Sequence, residues 1–256
     1  MKKDSRTDTK LMNSTVKVNW MNYVLNRARK ARLFFRAFRE LPNNLFVADT
    51  NIKIPAHNWI IGSTVAVEST IVKKSHLGLS LIYEPFEFPI FQKMISDAEA
   101  VFDVGSNFGW YSYIARNAEK EVHSFEIIKE YYDYLSNVNS LNSLGIKCNH
   151  CAVSNDSSSP KYADVLVAGT APNIVLDDYC EKNKVWPDAV KMDIEGWELE
   201  ALDGAKELLS RRPKLQISIH DCFLKEKGSS EQEILKFLYN FGYSVKNKFS
   251  DCFWLE

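Results

Sequence analysis

The sequence lacks a continuous run of about 18 apolar residues, which a membrane-spanning helix would need. Its first ten residues, MKKDSRTDTK, also lack the apolar core of a secretory signal peptide. Cysteine is scarce and odd in number: five residues are scattered over positions 148 to 252 and offer no disulfide framework. Together these absences predict a protein of the reducing cytoplasm.

A zinc-binding pattern is missing as well. Cys148 and Cys151 form a single CxxC pair, but no second pair and no closely spaced pair of histidines follows it. A structural zinc site needs four ligands in tetrahedral arrangement. We therefore interpret both cysteines as small apolar residues buried in a strand.

The chain has no excess of charge, since its formal net charge is -1, which argues against a general nucleic-acid-binding protein. The basic residues are nevertheless concentrated. Residues 1–40 hold 11 of the 32 Lys and Arg residues but only 3 of the 33 Asp and Glu residues. The N-terminal segment is therefore the part of the chain on which an acidic surface could act.

Within this basic segment, apolar residues at steps of three and four predict a helix over residues 20–41, which Pro42 ends. A stripe along one side of it is basic and consists of Arg29, Arg32, Arg36 and Arg39. The preferred interpretation is a helix that packs on the main domain with a solvated basic flank. The alternative is peripheral contact with an anionic membrane or a polyanionic partner.

Residues 45–84 contain short strand-like runs broken by Gly, Pro and Asn, which predict a small β-rich lead-in. From residue 85 onward, strands alternate with helices, as in a mostly parallel sheet with right-handed crossovers. The predicted strands cover residues 100–104, 121–125, 148–153, 189–194 and 214–219, followed by an antiparallel hairpin of residues 242–248 and 251–256. The predicted helices cover residues 86–98, 110–117, 129–142, 175–182, 197–209 and 231–241. The sequence thus predicts an α/β protein with an N-terminal segment over residues 1–84 and one domain over residues 85–256.

The first informative strand leads into a glycine turn, VFDVGSNFG, at the edge where such sheets bind ligands. The turn lacks the Gly-Lys pair of a phosphate-binding Walker loop and the middle glycine of a dinucleotide fingerprint. It does carry Asp103 two residues before Gly105, where a carboxylate can hold a cationic amino group. The peptide N–H groups between Gly105 and Gly109 can face a carboxylate, so the turn suits the tail of an amino acid.

The second strand ends at Glu126, 23 residues after Asp103. A carboxylate at this strand end can accept hydrogen bonds from both hydroxyls of a ribose. An amino-acid tail together with a ribose describes S-adenosylmethionine, and we expect Asn107, Ala152 and Ser154 to contact it as well. Two structural alternatives remain: Asp103 could cap a turn, and Glu126 could be an exposed acid before a helix.

A second acid-and-glycine turn follows in the stretch KMDIEG, with Asp193 and Glu195 at its strand end. These acids are candidates for the acceptor pocket or, alternatively, for capping the next helix. His220 ends the following strand and is a candidate general base. A less favoured alternative is that Asp193, Glu195, His220 and Asp221 hold a divalent cation.

Several stretches in this order resemble the FkbM-type family of S-adenosylmethionine-dependent methyltransferases: VFDVGSNFGWYSYIA, FEI, CAVSN, VLDDY, DAVKMDIEGWELEALDGAKELL and RRPKLQISIH. The resemblance covers about residues 85–222. It implies a Rossmann-like class I methyltransferase fold and O-methylation of a hydroxyl on a sugar, glycan or natural product. The sequence departs from the family pattern at Ser218, where members often have Glu.

Two other functions compete with this hypothesis. An NAD-type oxidoreductase could use the same sheet, although the fingerprint GxGxxG is missing. A non-catalytic binding protein could keep the fold and be recruited to a surface by its basic helix. The paired acids Asp103 and Glu126 favour an intact cofactor site, so the sequence predicts a methyltransferase.

Overall fold

The computed structural model describes residues 57–59, 65–67, 87–157 and 171–256. In the predicted β-rich lead-in, strands β1 (His57–Trp59) and β2 (Val65–Val67) form an antiparallel pair. The predicted basic helix over residues 20–41 lies outside the described residues, and the domain boundary at residues 84 and 85 stays a prediction.

Strands and helices alternate from residue 87 to the end of the chain. The strands are β3 (Ala100–Val104), β4 (Glu121–Glu126), β5 (Lys147–His150), β6 (Ala152–Val153), β7 (Asn173–Ile174), β8 (Ala189–Met192), β9 (Lys214–Ser218), β10 (Val245–Phe249) and β11 (Cys252–Leu255). The helices are α1 (Glu87–Met94), α2 (Trp110–Asn117), α3 (Lys129–Asn142), α4 (Leu176–Asn183), α5 (Glu198–Asp203), α6 (Lys206–Ser210), α7 (Asp221–Glu226) and α8 (Glu231–Asn240). Among these helices, none combines the length and the apolar character that crossing a membrane requires.

Seven of the strands form one sheet in the order β10-β11-β9-β8-β3-β4-β5. The pairs from β9 to β5 are parallel, and β11 runs antiparallel to both β9 and β10. The chain starts at β3, moves outward to β5, and then returns to the other side of β3 with β8. The predicted mostly parallel sheet with a C-terminal antiparallel hairpin is confirmed. Strand order therefore reverses between β3 and β8, where ligands bind in open α/β sheets.

The central strand β3 is buried along its whole length because helices cover both faces of the sheet. Its side chains alternate between two apolar clusters. Phe102 packs with Phe125 and Ile217 on one face, whereas Val101 packs with Leu135 on the other. Burial on both faces explains why the sequence of this strand is almost entirely apolar. Its single acid, Asp103, therefore requires an explanation.

The predicted strand over residues 148–153 is wrong in one respect, because it is two strands in different sheets. β5 forms the edge of the main sheet, whereas β6 pairs in parallel with β7 through the register of Ala152 with Asn173. Cys148 is half-buried in β5, and Cys151 is buried but lies between β5 and β6, so the expectation that both are buried within a strand is only partly correct. Because of this break, the end of β6 does not belong to the row of carboxyl-terminal strand ends of the main sheet.

The predicted helix over residues 197–209 is also divided, into α5 and α6, and the division lies at Gly204. The carbonyl oxygen of Ser154 lies so close to Gly204 that an added methyl group would overlap it. A glycine is needed here because another segment approaches the backbone, and that approach separates the two helices. Helix α7, which directly follows His220, was missed by the sequence pattern.

Candidate active site

Hydrogen bonds join the glycine turn to the end of β4. The N–H groups of Gly105 and Ser106 both donate to the carbonyl oxygen of Phe125, at 2.9 and 3.1 Å. The N–H group of Asn107 donates to Glu126 Oε2 at 2.6 Å, and Asn107 has a left-handed φ of 50°. A hydrogen bond therefore joins the glycine turn directly to Glu126, and the sequence assigned both of them to one cofactor.

Glu126 is buried and accepts hydrogen bonds at both of its carboxylate oxygens. The N–H group of Ile128 donates to Oε1 at 2.7 Å, and that of Asn107 donates to Oε2. Burial raises the pKa of Glu126 to about 7, although these two hydrogen bonds favour the charged form. The alternative of an exposed acid in front of a helix is therefore wrong. The carboxylate holds the turn and keeps lone pairs for a further donor.

This raised pKa makes stability depend on pH in a direction that Glu126→Gln tests. The carboxyl pKa is about 7 in the folded protein against its usual 4.5, so the folded state binds the extra proton between these values. The contribution is largest below pH 4.5 and is lost as the pH rises through 7, by up to about 3 kcal/mol. We expect urea unfolding at several pH values to show that wild type loses this stability relative to Glu126→Gln. Parallel pH curves for the two proteins would contradict the raised pKa.

The side chain of Asp103 is completely buried in the interior of the protein. Its Oδ2 accepts a hydrogen bond from Ser112 Oγ at 2.6 Å, whereas its Oδ1 has no hydrogen-bond partner. Burial raises the pKa of this carboxyl group, and the charge of Lys191 and the bond from Ser112 oppose that effect. Asp103 is thus held on one side by a hydroxyl and keeps one oxygen for another donor.

The sequence interpretation missed Lys191, which lies between the two groups of acids. It is almost fully buried and is paired in register with Asp103 on the neighbouring strand. Its Nζ is 3.4 Å from Asp193 Oδ2 and lies 4.7 Å from the centre of the Tyr111 ring. The signal in the sequence was a lysine in the middle of the apolar strand AVKM.

The glycine turn also packs against the second acid-and-glycine turn. Gly105 has a φ of 77°, and a methyl group added to it would overlap the carbonyl oxygen of Asp193. The N–H group of Asp193 in turn donates to the carbonyl oxygen of Val104 at 2.9 Å. Gly109, with a φ of 90°, precedes α2 and packs closely on the side chain of Leu135. The two turns are direct neighbours at the point where strand order reverses.

The structure brings His220 together with the acids of the second turn. His220 Nε2 is 3.7 Å from Asp193 Oδ1 and 3.4 Å from Glu195 Oε2. On its other side, Nδ1 is 3.4 Å from Oε1 of Glu198, a fully buried carboxylate that also accepts from the Gly196 N–H group. Glu198, the last acid of the stretch KMDIEGWE, is a second residue that sequence reasoning missed.

The alternative role of these acids as helix caps is wrong. Helix α5 has Trp197 as its N-cap, and no side-chain hydrogen bond caps it. Asp193 contacts Lys191 and His220, and the Glu195 side chain extends toward His220 with about half of its surface exposed. Both acids therefore lie where a ligand at the strand ends could reach them.

The charge state of His220 differs from the expectation of a ring that titrates near neutral pH. Burial lowers the pKa of His220, but the hydrogen bond that the ring donates to Glu198 and the charges of Asp193 and Glu195 outweigh it and raise the pKa to about 10. A ring that is already protonated cannot take a proton from an acceptor. The expected ordinary pKa is therefore wrong for this geometry, because carboxylates approach the ring on both sides.

The remaining predicted residues make contacts outside the cluster of Asp193, Glu195 and His220. Ala152 and Ser154 are buried at β6, and the N–H group of Cys151, just before them, donates to the carbonyl oxygen of Glu126 at 3.0 Å. Ser154 packs against Gly204. Asp221, considered as a fourth metal ligand, bonds to Lys225 at 2.6 Å and does not belong to the cluster of Asp193, Glu195 and His220.

Comparison with known families decides the identity. The family model described as the methyltransferase FkbM domain matches residues 103–245, which is more than half of the chain. The chain belongs to this family. Its sheet order, with the antiparallel hairpin at one edge, is that of the Rossmann-like class I methyltransferase fold, so the predicted fold class and family are both confirmed.

Solved structures with a similar fold are only distantly related in sequence. Methyltransferase FkbM from Methylobacillus flagellatus KT is 20% identical with a TM-score of 0.48, over 62% of this chain and 43% of that chain. Precorrin-6y C5,15-methyltransferase from Geobacter metallireducens is 13% identical with a TM-score of 0.42, over 74% and 88% of the two chains. An O-methyltransferase from Bacillus cereus in complex with SAH is 11% identical with a TM-score of 0.41, over 67% and 80%. No curated protein matches the chain. The alignment with the Methylobacillus protein spans less than half of that protein's length.

Proposed function

We propose that this FkbM-family chain is an S-adenosylmethionine-dependent methyltransferase that methylates a hydroxyl oxygen of a sugar, glycan or natural product. One observation carries the proposal: the glycine turn, bonded to Glu126, packs directly on the turn that presents Asp193. Donor-type and acceptor-type residues therefore meet at the point where strand order reverses.

The residues at the glycine turn, which we call the donor turn, fit the predicted cofactor. Asp103 Oδ1 is a buried carboxylate oxygen without a hydrogen-bond partner, which suits a cationic amino group. Glu126 has one hydrogen bond at each oxygen, so it can also accept from ribose hydroxyls. The peptide N–H groups from Gly105 to Gly109 all donate within the protein, so the expectation that they face the carboxylate end of the cofactor is not supported. Ala152 would lie toward the base. Ser154 supports this assignment least, because its backbone packs on Gly204.

The acceptor-side residues suit a hydroxyl group that has to lose its proton. When bound, S-adenosylmethionine would supply a sulfonium methyl group, whose carbon the acceptor oxygen would attack while the sulfur left as the thioether of S-adenosylhomocysteine. Asp193 Oδ1 and Glu195 Oε2 can accept the hydrogen bond and the proton of that hydroxyl. Without a bound ion, His220 is protonated between them and orients the two carboxylates instead of acting as the base.

Donor binding tests the first half of the proposal. We expect calorimetric titration to show binding of S-adenosylmethionine and none of NAD. Asp103→Asn and Glu126→Gln should each weaken donor affinity by roughly 10- to 100-fold, because each removes a charge-assisted hydrogen bond. Glu121→Gln is the matched control, since Glu121 lies at the opposite end of β4 from Glu126 and is exposed. Unchanged affinity in both donor-site variants, or preferential binding of NAD, would exclude the assignment.

Product identification tests the second half. The protein would be incubated with methyl-labelled donor and a panel of hydroxylated sugars and glycans, and the labelled atom located by mass spectrometry and NMR. Label on oxygen supports the proposal, whereas label on nitrogen or carbon contradicts it. Contact of the basic N-terminal segment with a membrane or partner, and a cytoplasmic location, stay predictions.

A further inference from the structure

Three side chains that follow the neighbouring strands β8 and β9 present ligand atoms to one small space. One oxygen of Asp193, one oxygen of Glu195 and one ring nitrogen of His220 all lie within 4.8 Å of one another. Ligands about 2.0 to 2.2 Å from a common ion are separated by roughly 3.0 to 3.5 Å. The distances of 3.4 and 3.7 Å from His220 Nε2 to the two carboxylates are close to that separation.

Two of the three ligands are already oriented by a second group. Lys191 holds Asp193 through Oδ2, which leaves Oδ1 on the side of His220. Glu198 lies against Nδ1 of the ring and so turns Nε2 toward the two acids. A carboxylate behind a histidine is the usual arrangement at metal sites, where it fixes the ring and raises its basicity.

An independent observation comes from Glu198 itself. This carboxylate is completely buried, and its Oε2 finds no hydrogen-bond partner, while Oε1 faces the ring of His220. Oε1 accepts from the Gly196 N–H group at 3.0 Å and lies 3.4 Å from the ring, but these contacts leave the charge on Oε2 without a direct partner. A divalent cation on the Nε2 side of the ring would compensate the charge of Glu198 and would also neutralise Asp193 and Glu195.

We propose that Asp193, Glu195 and His220 form a binding site for a divalent cation of the Mn²⁺ type. Two carboxylate oxygens and one imidazole nitrogen suit an ion that accepts both ligand classes, whereas Mg²⁺ and Ca²⁺ favour oxygen alone. The ion replaces the proton on Nε2, which passes to solvent. Glu195, whose side chain is about half exposed, leaves the site open to solvent and to an incoming hydroxyl.

The role of this ion rests on the proposed function. The site adjoins the glycine turn, because Gly105 packs against the backbone of Asp193. A bound cation there would contact the acceptor hydroxyl and lower its pKa, which favours loss of the proton. Binding of the ion and transfer of the methyl group are nevertheless separate measurements.

Binding is measured with Mn²⁺ alone on the full chain after removal of metals. The electron paramagnetic resonance signal of free Mn²⁺ should fall with a stoichiometry near one ion per chain. We expect Asp193→Asn and Glu195→Gln to weaken binding at least about 10-fold, and Glu198→Gln to weaken it by roughly 10- to 100-fold through the ring. Asp221→Asn is the control, because Asp221 is adjacent to His220 in sequence but bonds to Lys225.

The outcomes separate the two proposals. Absence of Mn²⁺ binding at millimolar concentration, or binding that Glu195→Gln leaves unchanged, would overturn the metal site. Tighter binding of Mg²⁺ than of Mn²⁺ in competition would overturn the assigned ion class. Mn²⁺ binding without methyl transfer to any hydroxyl would support the metal site and contradict the proposed function. Methyl transfer to a hydroxyl that persists in a chelator would support the proposed function and overturn the role of the ion in it.

Discussion

Replacing Gly105 with alanine is expected to lower the free energy of unfolding by about 4 kcal/mol and to abolish donor binding. Two costs combine at this position. Gly105 has a φ of 77°, which residues with a Cβ adopt at a cost of about 1 kcal/mol. The added methyl group would also overlap the carbonyl oxygen of Asp193, which belongs to the backbone and cannot turn away like a side chain.

Gly145→Ala separates these two costs. Gly145 has nearly the same φ, 74°, but an added methyl group there meets nothing within 4 Å. We therefore expect Gly145→Ala to cost only the backbone strain of about 1 kcal/mol, while donor affinity stays that of the wild type. The difference between the two alanine variants measures the overlap with Asp193 alone.

Urea unfolding and calorimetry with S-adenosylmethionine are the two measurements. If Gly105→Ala folds but the two turns have moved apart, stability will recover partly and donor binding will still be lost. Equal stability of Gly105→Ala and Gly145→Ala, with donor binding intact in both, would show that the donor and acceptor turns are not in contact.

Much of the sheet could be predicted because its strands carry their own pattern. The strand over residues 100–104 and the helices over residues 110–117 and 129–142 agree with the structure at every boundary. Apolar strands and periodic helices are specified locally, and the crossover rule then orders them. The errors lie where a distant segment intervenes, as at Gly204, whose close approach to Ser154 divides a predicted helix.

The sequence indicates which residues make up the candidate site more fully than it indicates their chemistry. Strand ends that carry Asp103, Glu126, Asp193 and His220 follow from motif spacing and the parallel sheet. Spacing does not show which groups surround a side chain, so the pKa of about 10 at His220 could not be anticipated. Glu198 and Lys191 were missed for the same reason, because each matters through contacts with residues on other elements.

Lys191 is the residue whose loss should affect the largest number of buried charges. It is the main positive charge that lowers the pKa of Asp103, and its Nζ is 3.4 Å from Asp193 Oδ2. Lys191 is itself almost fully buried, so water cannot replace it easily. Asp103 precedes the glycine turn, and Asp193 lies in the second acid-and-glycine turn.

We expect Lys191→Met to lower the free energy of unfolding by roughly 3 to 5 kcal/mol, because it keeps the volume but leaves Asp103 buried without its opposite charge. Lys206→Met is the control, since Lys206 pairs with Asp203 at 2.6 Å on the surface and should contribute below about 1 kcal/mol. Urea unfolding of both variants compares a buried pair with an exposed one.

The double variant Lys191→Met with Asp103→Asn tests the cause of the loss. Removing both charges leaves no isolated buried carboxylate at Asp103, so the double variant should be more stable than the sum of the two single losses by at least about 1 kcal/mol. The Asp193 carboxylate, which retains some contact with solvent, accounts for the part that is not recovered. Strictly additive losses would show that Lys191 and Asp103 act independently. In that case the ion pair with Asp193 and the position of Nζ 4.7 Å from the Tyr111 ring centre would be the contacts that stabilise Lys191 in the fold.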